Sequence, residues 1–394
     1  MRTAILLILL FLLLPLQAQQ PISPQKDVNG NFSFQVGDVY FQVNPKHGAR
    51  IDSYKLKEFE FLYLEKHSGI EDMVGSTAWI SPQTLWGWPP QAIIDTEPYS
   101  GGISGNTVVL TSGTASANNS LKFQIRKTFS ADLQDSSVSI KYTIINKSSD
   151  SRSFASWEIM RVPTGGLSFF PINGTVSGKL EPAFVVQEGI AWWDYDSTKN
   201  IFEKAFADGK DGWLAHVDNR RIIHIKKFVD SPSNFPSNSE KEIEFWANDK
   251  RYYNEIEKHS EYKSIPANDS ATLSVTWFLR KLPETISVSK GNPDLLDYVS
   301  GIVNPIQSSV NSDLSRKPLF AYSNSAAAEI KFTGLEEGIQ YNFFLYNVIG
   351  EKVLEKEVLS GETVLTHSLK NGVYIYRIQS HEKIYTGKIS LRTF

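Results

Sequence analysis

Apolar and polar residues alternate along most of this 394-residue chain, and this two-residue period is the feature that most restricts its fold. In residues 137–145 the apolar side chains Val138, Ile140, Tyr142 and Ile144 share one parity, with polar residues between them. Successive side chains of a β-strand point to opposite faces, so the pattern predicts a strand with one buried and one solvated face. Similar segments lie at residues 32–36, 39–43, 49–64 (a hairpin), 107–110, 121–129, 154–162, 167–171, 189–193, 212–217, 221–228, 240–246, 252–258 and 271–280. No helical period of useful length occurs before residue 282, and so many antiparallel strands predict an all-β fold, a large sandwich.

A polar segment at residues 283–317 divides the chain into two unequal parts. Proline, serine, asparagine and aspartate interrupt the alternation there, which is typical of a linker, with room for one short helix at 295–303. The predicted domains are therefore a large sandwich at residues 19–282, the linker at 283–317 and a small C-terminal β-sandwich at 318–394.

The first 18 residues have the pattern of a signal peptide. Arg2 supplies a positive charge, residues 4–16 are an apolar run, and Ala18 is the small residue that signal peptidase requires. The run is too short for a comfortable transmembrane helix, and no second run of spanning length follows. We therefore expect an exported chain without a transmembrane segment in its mature form.

Composition excludes several classes of function. The chain has no cysteine, so disulfides, thiolate metal sites and cysteine nucleophiles are ruled out. Its net charge of -3 comes from well-mixed acidic and basic residues, without the basic stripe that a phosphate backbone selects. Nucleic acid is therefore not an expected partner.

Residues 75–90, GSTAWISPQTLWGWPP, contain three of the nine tryptophans and three prolines, and we call them the tryptophan segment. Proline fixes φ and removes a hydrogen-bond donor, so this segment is predicted to be neither a helix nor a central strand. Indole faces pack well on sugar rings, which makes Trp79, Trp86 and Trp88, with the nearby Gln83, candidate carbohydrate-binding residues. The alternative is that the tryptophans only close the end of the sandwich.

Two glutamates share one face of the predicted strand at residues 252–258. Alternation places Glu255 and Glu257 beside Tyr253 on that face, with the carboxylates about 7 Å apart. This spacing permits coupled titration, or acid and base roles around a bound sugar. The alternative is an ordinary solvated face. Glu257 and Glu255 are thus candidate catalytic residues and Tyr253 a candidate binding residue.

A second candidate pair, Glu158 and Arg161, lies on the strand at 154–162. Their separation places them on opposite faces unless a bulge intervenes. Glu158 is the third candidate catalytic carboxylate, expected to face Glu257 across the cleft, and Arg161 is a candidate binding residue. Both could instead be structural.

Other polar residues carry less information. Glu242 and Glu244 alternate with Trp246 and are expected to form an edge strand that faces water. The histidines show no metal-ligand spacing, so neither a metal nor another cofactor is expected. The histidines considered are His47, His67, His216, His224 and His259.

The C-terminal part resembles the sorting domain of proteins exported by the bacterial type IX secretion system. The resemblance rests on FFLYNVIGEKV at residues 343–353, LKNGVY at 369–374 and YTGKI at 385–389. It implies that the tail is recognised by the type IX machinery. It also implies that the protein passes through the periplasm and across the outer membrane, to be secreted or held at the cell surface.

The large domain resembles the galactose-mutarotase-like, or aldose 1-epimerase-like, supersandwich. The resemblance rests on GARI at residues 48–51, the tryptophan segment, YYNEIEKHSEYKSI at 252–265 and ATLSVTWFL at 271–279. Epimerases of this type carry a glutamate base on the penultimate strand, which corresponds to Glu257. Their Asn-His-x-Tyr-Phe segment is replaced by residues 155–161, and their Asn-Arg pair by Ser81-Pro82-Gln83.

Three functions remain compatible with these residues. The first is a secreted carbohydrate-binding or carbohydrate-active protein that holds a sugar on a concave sheet face. The second is a sugar epimerase or a glycan lyase or hydrolase that uses the glutamate pair. The third is a structural cell-surface protein in which every tryptophan is part of the core. Exposed tryptophan beside carboxylates would argue against the third.

Overall fold

The computed structural model describes residues 22–304 except 197, 200, 232 and 238, and residues 319–391 except 325–327, 348–350 and 381–383. The predicted signal peptide and the last part of the predicted linker lie outside the described residues. Neither helix in the described part has the length or the apolar character needed to cross a bilayer.

Short β-strands account for most of the described chain, and the strands of the large domain come first. They are β1 Gln25–Lys26, β2 Phe32–Val36, β3 Val39–Asn44, β4 Arg50–Leu56, β5 Phe59–Glu60, β6 Ser76–Ser81, β7 Ser100–Ser104, β8 Thr107–Thr111, β9 Ala115–Ser116, β10 Lys122–Asp132, β11 Ser137–Asn146, β12 Arg152–Pro163, β13 Leu167–Ser177, β14 Phe184–Gln187, β15 Ile190–Asp194, β16 Glu203–Gly209, β17 Trp213–Val217, β18 Ile222–Phe228, β19 Ile243–Ala247, β20 Tyr253–His259, β21 Lys263–Ile265 and β22 Ser270–Lys281.

Helices and the C-terminal strands complete the set. The helices are α1 Ala92–Asp95 and α2 Pro293–Val303, with 3₁₀ turns at Gln83–Leu85, Asn118–Ser120 and Glu181–Ala183. The tail strands are β23 Phe320–Asn324, β24 Glu329–Thr333, β25 Tyr341–Tyr346, β26 Lys352–Val358, β27 Thr363–Leu365, β28 Gly372–Gln379 and β29 Ile384–Leu391.

The large domain consists of two antiparallel layers. The first layer has the strand order β1, β2, β3, β4, β6, β12, β20, β19, β16 and the second half of β13. The second layer has the order β7, β8, β10, β11, β22, β18, β17, the first half of β13, β15 and β14. Strand β13 therefore joins the layers. The prediction of an all-β sandwich is confirmed.

The core lies between the layers, and the alternating pattern of β11 shows how it forms. Val138, Ile140, Tyr142 and Ile144 are all 0% exposed, whereas Lys141 on the other face is exposed. Burial of an apolar side chain of this size contributes roughly 1.5–3 kcal/mol. The two-residue alternation therefore determines which side chains of this strand lie in the core.

Helix α2, which lies within the predicted linker, packs on the large domain. Its N-terminus is capped by Asn292, whose side-chain oxygen accepts the N–H of Asp294 at 3.0 Å. Leu295 and Val299 are 0% exposed and share a hydrophobic cluster with residues of β13, β15 and β17. Tyr322 of β23 belongs to the same cluster. The predicted linker thus contains a helix that packs on the large domain, and the domain boundaries stay a prediction.

The tail has two sheets, with the orders β23-β24-β27 and β26-β25-β28-β29. Ile330, Phe343 and Ile378 are 0% exposed in the core of this part. Gly387 of the YTGKI motif lies opposite Tyr376, and a side-chain carbon at Gly387 would come within 2.2 Å of the tyrosine ring. Only glycine permits this close approach. Residues 348–350, within the FFLYNVIGEKV motif, lie outside the described residues.

Candidate functional site

Strand register collects most of the predicted site residues on one face of the first layer, the face turned away from the second layer. Directly opposite residues of neighbouring antiparallel strands share a face. Trp157 lies opposite both Trp79 and His259, Glu257 lies opposite Glu244, and Glu255 lies opposite Arg161 and Trp246. Lys204 in turn lies opposite Trp246. We call this the outer face. Its charged cluster is formed by Arg161, Lys204, Glu244, Glu255, Glu257 and His259.

The tryptophan segment begins as a strand and ends as a loop. Its first half is β6, which pairs with β4 and β12, so the prediction that no central strand occurs here was wrong. The three prolines all follow β6, and only this second half leaves the sheet. The prediction failed because no proline lies within residues 76–81, which form a strand that is buried on both faces.

The three tryptophans of this segment differ in exposure. Trp79 is 2% exposed, and its indole N–H donates to Asp95 Oδ1 at 2.8 Å. Trp86 is half-buried and donates to the carbonyl of Ile80 at 2.8 Å. Trp88 is 60% exposed. The rings of Trp86 and Trp88 both contact the Trp79 ring, with centroid distances of 5.7 and 5.9 Å. Trp79 is therefore part of the core, and Trp88 presents an open face.

The loop that carries Trp86 and Trp88 is anchored by a glutamate that sequence reasoning did not identify. Glu240 accepts the hydroxyl of Ser81 at 2.5 Å and the backbone N–H of Gln83 at 2.8 Å. Gln83 is half-buried, and its carbonyl accepts the N–H of Trp86 at 3.0 Å. Gln83 thus helps to shape the loop through its backbone.

An ion pair buried beneath the segment supports Trp79. Arg50 Nη2 lies 3.0 Å from Asp95 Oδ2, and the Arg50 side chain is fully buried. Burial alone would raise the pKa of Asp95, but the Arg50 guanidinium and the Trp79 N–H outweigh it and lower the pKa. Asp95 is therefore a charged acceptor that fixes the Trp79 ring.

Arg161 and Glu255 form the second ion pair of this face. Arg161 Nε lies 2.8 Å from Glu255 Oε1, with the arginine side chain 0% exposed and the glutamate side chain 11% exposed. The guanidinium also lies over the rings of Trp79 and Tyr253, at 5.5 and 5.8 Å. Tyr253 is 2% exposed beneath Tyr63, so neither Arg161 nor Tyr253 is open to solvent.

Glu257 lies at the centre of the cluster and is 0% exposed. Its Oε2 accepts the indole N–H of Trp157 at 2.5 Å. Burial raises the pKa of Glu257 well above its usual range, and the neighbouring carboxylates Glu244 and Glu255 raise it further. The arrangement favours a neutral carboxyl group at this position.

Lys204 supplies a cation next to this carboxyl group. Its ammonium forms an ion pair with Glu244 and lies 4.8 Å from the centroid of the Trp157 ring. Burial lowers the pKa of Lys204, but the attraction of Glu244 and Glu257 outweighs this effect and raises it. The lysine side chain is 30% exposed, so it is the most accessible cation of the cluster.

Glu158 does not belong to the outer face, and the prediction that it faces Glu257 across a cleft was wrong. It points between the layers, where Oε2 accepts from Lys226 Nζ at 2.9 Å and Oε1 from Trp277 Nε1 at 3.0 Å. Glu158 and Lys226 are both 0% exposed. Because side chains alternate along β12, residue 158 must lie on the face opposite to residue 161.

Sequence reasoning also missed part of the cluster. Strand β19 lies between β16 and β20, so the expectation of a solvated edge strand was wrong, and Glu244 is 0% exposed. His259 could have been found, since it continues the alternation of Glu255 and Glu257 on β20. Lys204 and Glu244 could not, because they join the cluster only through the register of other strands.

Three of these side chains are close enough to hold a metal ion. One potential ligand atom from each of Glu244, Glu257 and His259 lies within 4.8 Å of the others. His259 Nε2 is 3.2 Å from Glu244 Oε2, and its ring stacks on Trp157 with a centroid distance of 5.0 Å.

Two surface depressions lie away from this cluster. One of about 560 Å³ includes Tyr40, Asp52 and Glu60. Glu60 already accepts three hydrogen bonds, from the backbone of Tyr54 and Leu62 and from a serine hydroxyl. The other, of about 530 Å³, is lined by residues of the β13, β15 and β17 ends. Within the charged cluster, Arg161, Glu244 and Glu257 are 0% exposed.

Several solved structures are similar to part of this chain. A candidate aldose 1-epimerase from Escherichia coli K12 is 9% identical, with 64% of this chain and 99% of that chain covered and a TM-score of 0.47. A galactose mutarotase-like protein from Clostridium acetobutylicum is 10% identical, with 66% and 99% covered and a TM-score of 0.45. A third, from Lactobacillus casei, is 12% identical, with 64% and 100% covered and a TM-score of 0.44. Similarity at this level carries no information on a reaction.

No curated protein sequence is significantly similar to this chain. Residues 324–392, however, match the family model described as the secretion system C-terminal sorting domain. The matched range contains all three tail motifs. It begins six residues after the predicted start of the domain at residue 318. It implies interaction with the type IX secretion machinery. The C-terminal part of this chain is a type IX sorting domain, which indicates secretion to the cell surface or beyond.

Proposed function

We propose that the protein binds carbohydrate on the outer face of the first layer, where the tryptophan segment borders the charged cluster. The exposure of Trp88 carries this proposal: the residue is 60% exposed although its ring contacts the buried Trp79. An indole held in this way offers a flat apolar face and loses little conformational entropy on binding. The half-buried Trp86 extends the same aromatic surface towards Trp157, at a centroid distance of 6.4 Å.

Polar partners for sugar hydroxyl groups lie next to this aromatic surface. Lys204 and Glu255 are the cluster members with side chains open to solvent, at 30% and 11% exposure. A hydroxyl group can accept from the Lys204 ammonium or donate to the Glu255 carboxylate. An apolar platform with a few charged groups beside it is typical of small-ligand sites.

The burial of Glu257 favours binding over turnover. A general acid or base must come within about 2.6–3.2 Å of the proton that it transfers. Glu257 is 0% exposed and is covered on the same face by Trp157 and Lys204. A sugar that rests on Trp88 reaches Glu257 only after one of these side chains moves.

Replacement of Trp88 tests the binding proposal. Ligands would be selected on a glycan array with the whole protein, and affinity measured by titration calorimetry. We expect Trp88→Ala to lose roughly 1–3 kcal/mol of binding free energy, because a stacked aromatic contact disappears. The free energy of unfolding should change little, since the ring is exposed.

Phe59→Ala is the matched control, because Phe59 is a 45% exposed aromatic residue on the hairpin of β4 and β5, outside the tryptophan segment. Its affinity should equal that of the wild type. The absence of any bound glycan, or equal affinity of the Trp88 variant, would refute the proposal.

A second candidate function, a sugar epimerase or a glycan lyase or hydrolase, is supported by one observation. Glu257 has a raised pKa and lies directly opposite a second carboxylate, Glu244. This is the environment of a carboxyl group that acts as an acid near neutral pH. Turnover would be followed by interconversion of sugar anomers in NMR spectra and by product release from polysaccharides, and Glu257→Gln should reduce it about 100-fold or more. The exposure of Trp88 argues against a purely structural role.

A further inference from the structure

The charged cluster has one more carboxyl group than it has permanent cations. Its three carboxyl groups, Glu244, Glu255 and Glu257, lie with two permanent cations, Arg161 and Lys204. Glu244 and Glu257 are 0% exposed and Glu255 is 8% exposed. An excess carboxylate without water or a partner cation is strongly unfavourable, so this site needs either a proton or a further cation.

Five buried atoms of the cluster have no hydrogen-bond partner among the described residues. Arg161 Nε and Glu244 Oε1 have ion-pair contacts, and Arg161 Nη1 is a guanidinium donor. The remaining two are Glu257 Oε1 and His259 Nδ1, which have neither kind of contact. The other atom of each group is engaged, Glu257 Oε2 by the Trp157 indole and His259 Nε2 by Glu244. Buried polar atoms of a native protein are nearly always satisfied, so two such atoms in one small cluster indicate a missing partner.

The geometry is close to that of a metal centre. Zn²⁺ binds imidazole nitrogen and carboxylate oxygen at about 2.0–2.2 Å, so its ligands lie about 3–4 Å from one another. The three potential ligand atoms of Glu244, Glu257 and His259 lie within 4.8 Å of one another, so a contraction of about 1 Å closes the site. Trp157 holds the ligands from outside, since it donates to Glu257 and stacks on His259.

We propose that Glu244, Glu257 and His259 bind a divalent metal ion of the Zn²⁺ or Mn²⁺ type, and that the Lys204 ammonium occupies the same negative site in the metal-free protein. One imidazole with two carboxylates suits these ions better than Mg²⁺, which prefers oxygen ligands alone. Lys204 forms its ion pair with Glu244 and has 30% side-chain exposure, so its movement towards solvent opens a path to the ligands. The proposal does not depend on sugar binding.

The test is a titration of the whole protein with Zn²⁺, and separately with Mn²⁺, after dialysis against a chelator, at pH 7. Calorimetry should show one ion per chain. His259→Gln should weaken binding at least about 10-fold, since a ligand is lost. Lys204→Met should strengthen it, because the competing ammonium is removed. This variant needs no change in the buried ligands, so it remains informative if His259→Gln does not fold.

His47→Gln is the matched control. His47 Nε2 lies 2.8 Å from Asp72 Oδ1, a histidine–carboxylate contact outside the cluster, and its loss should leave affinity unchanged. The proposal is overturned if wild-type protein binds neither ion, which would mean that a proton alone balances the cluster. It is also overturned if His47→Gln removes binding, or if Lys204→Met binds no more tightly than the wild type.

Discussion

The two faces of the first layer both bury glutamates that accept an indole N–H, but they differ in charge balance. Between the layers, one carboxylate oxygen of Glu158 accepts a hydrogen bond from Lys226 and the other accepts one from Trp277. On the outer face, one carboxyl oxygen of Glu257 accepts a hydrogen bond from Trp157. Its other oxygen has no hydrogen-bond partner among the described residues.

The difference separates a complete buried ion pair from a cluster with one more carboxyl group than permanent cations. The inner pair is neutral and every oxygen of its carboxylate is satisfied, so it has nothing left with which to bind a ligand. The outer cluster has one more carboxyl group than permanent cations and lies beside an exposed aromatic surface. Strongly perturbed carboxyl groups in such places are candidates for binding or proton transfer.

The largest predicted effect tests the inner pair. Glu158→Gln keeps the shape of the side chain but leaves the Lys226 ammonium buried without its counter-ion. The free energy of unfolding should fall by about 3–5 kcal/mol, measured by denaturant titration. The double variant Glu158→Gln/Lys226→Met should recover part of this loss. A loss below about 1 kcal/mol would show that the inner pair is not a structural element.

A smaller effect is expected from acid, because the inner side also buries two histidines. Burial lowers the pKa of His216 to about 4, although Asp218 opposes the shift, and burial with the repulsion of Lys226 and His216 lowers the pKa of His224. His216 Nδ1 shares a hydrogen bond of 2.8 Å with the Ser168 hydroxyl.

Both histidines are therefore neutral in the folded protein and take up protons on unfolding below their ordinary pKa of about 6.5. They stabilise the folded protein fully above that pH, and this stabilisation is lost as the pH falls from about 6.5 towards 4. For His216 the loss of unfolding free energy is on the order of 2–3 kcal/mol. The slope of the unfolding free energy against pH, measured by denaturant titration from pH 7 to pH 4, tests this. In His216→Asn the slope should be smaller, and an unchanged slope would contradict the assignment.

The smallest effect is expected on the outer face. In metal-free buffer, Glu257→Gln should change the free energy of unfolding by less than about 1 kcal/mol at pH 7, because its raised pKa already favours the neutral carboxyl group. The amide oxygen can still accept from Trp157. Comparison with Glu158→Gln by the same denaturant titration is the sharpest contrast between the faces. Equal losses would mean that both glutamates are charged and structural.

Local patterns in the sequence determined much of this molecule. Alternation predicted the all-β fold and the strand faces, including the shared face of Glu255 and Glu257 and the separation of Glu158 from Arg161. The tail motifs predicted the sorting domain, which the family model confirms. These features were accessible because a two-residue period and a short motif depend only on neighbouring residues.

Only the tertiary structure decided what faces Glu257. Glu244 and Lys204 come from β19 and β16, and their place opposite Glu257 and Trp246 depends on strand order and register. The pairing of distant strands also made β19 an interior strand and turned Glu158 towards Lys226. Strand order and register arise from contacts across the whole sandwich, which no local period encodes, and they therefore determine where buried charges meet.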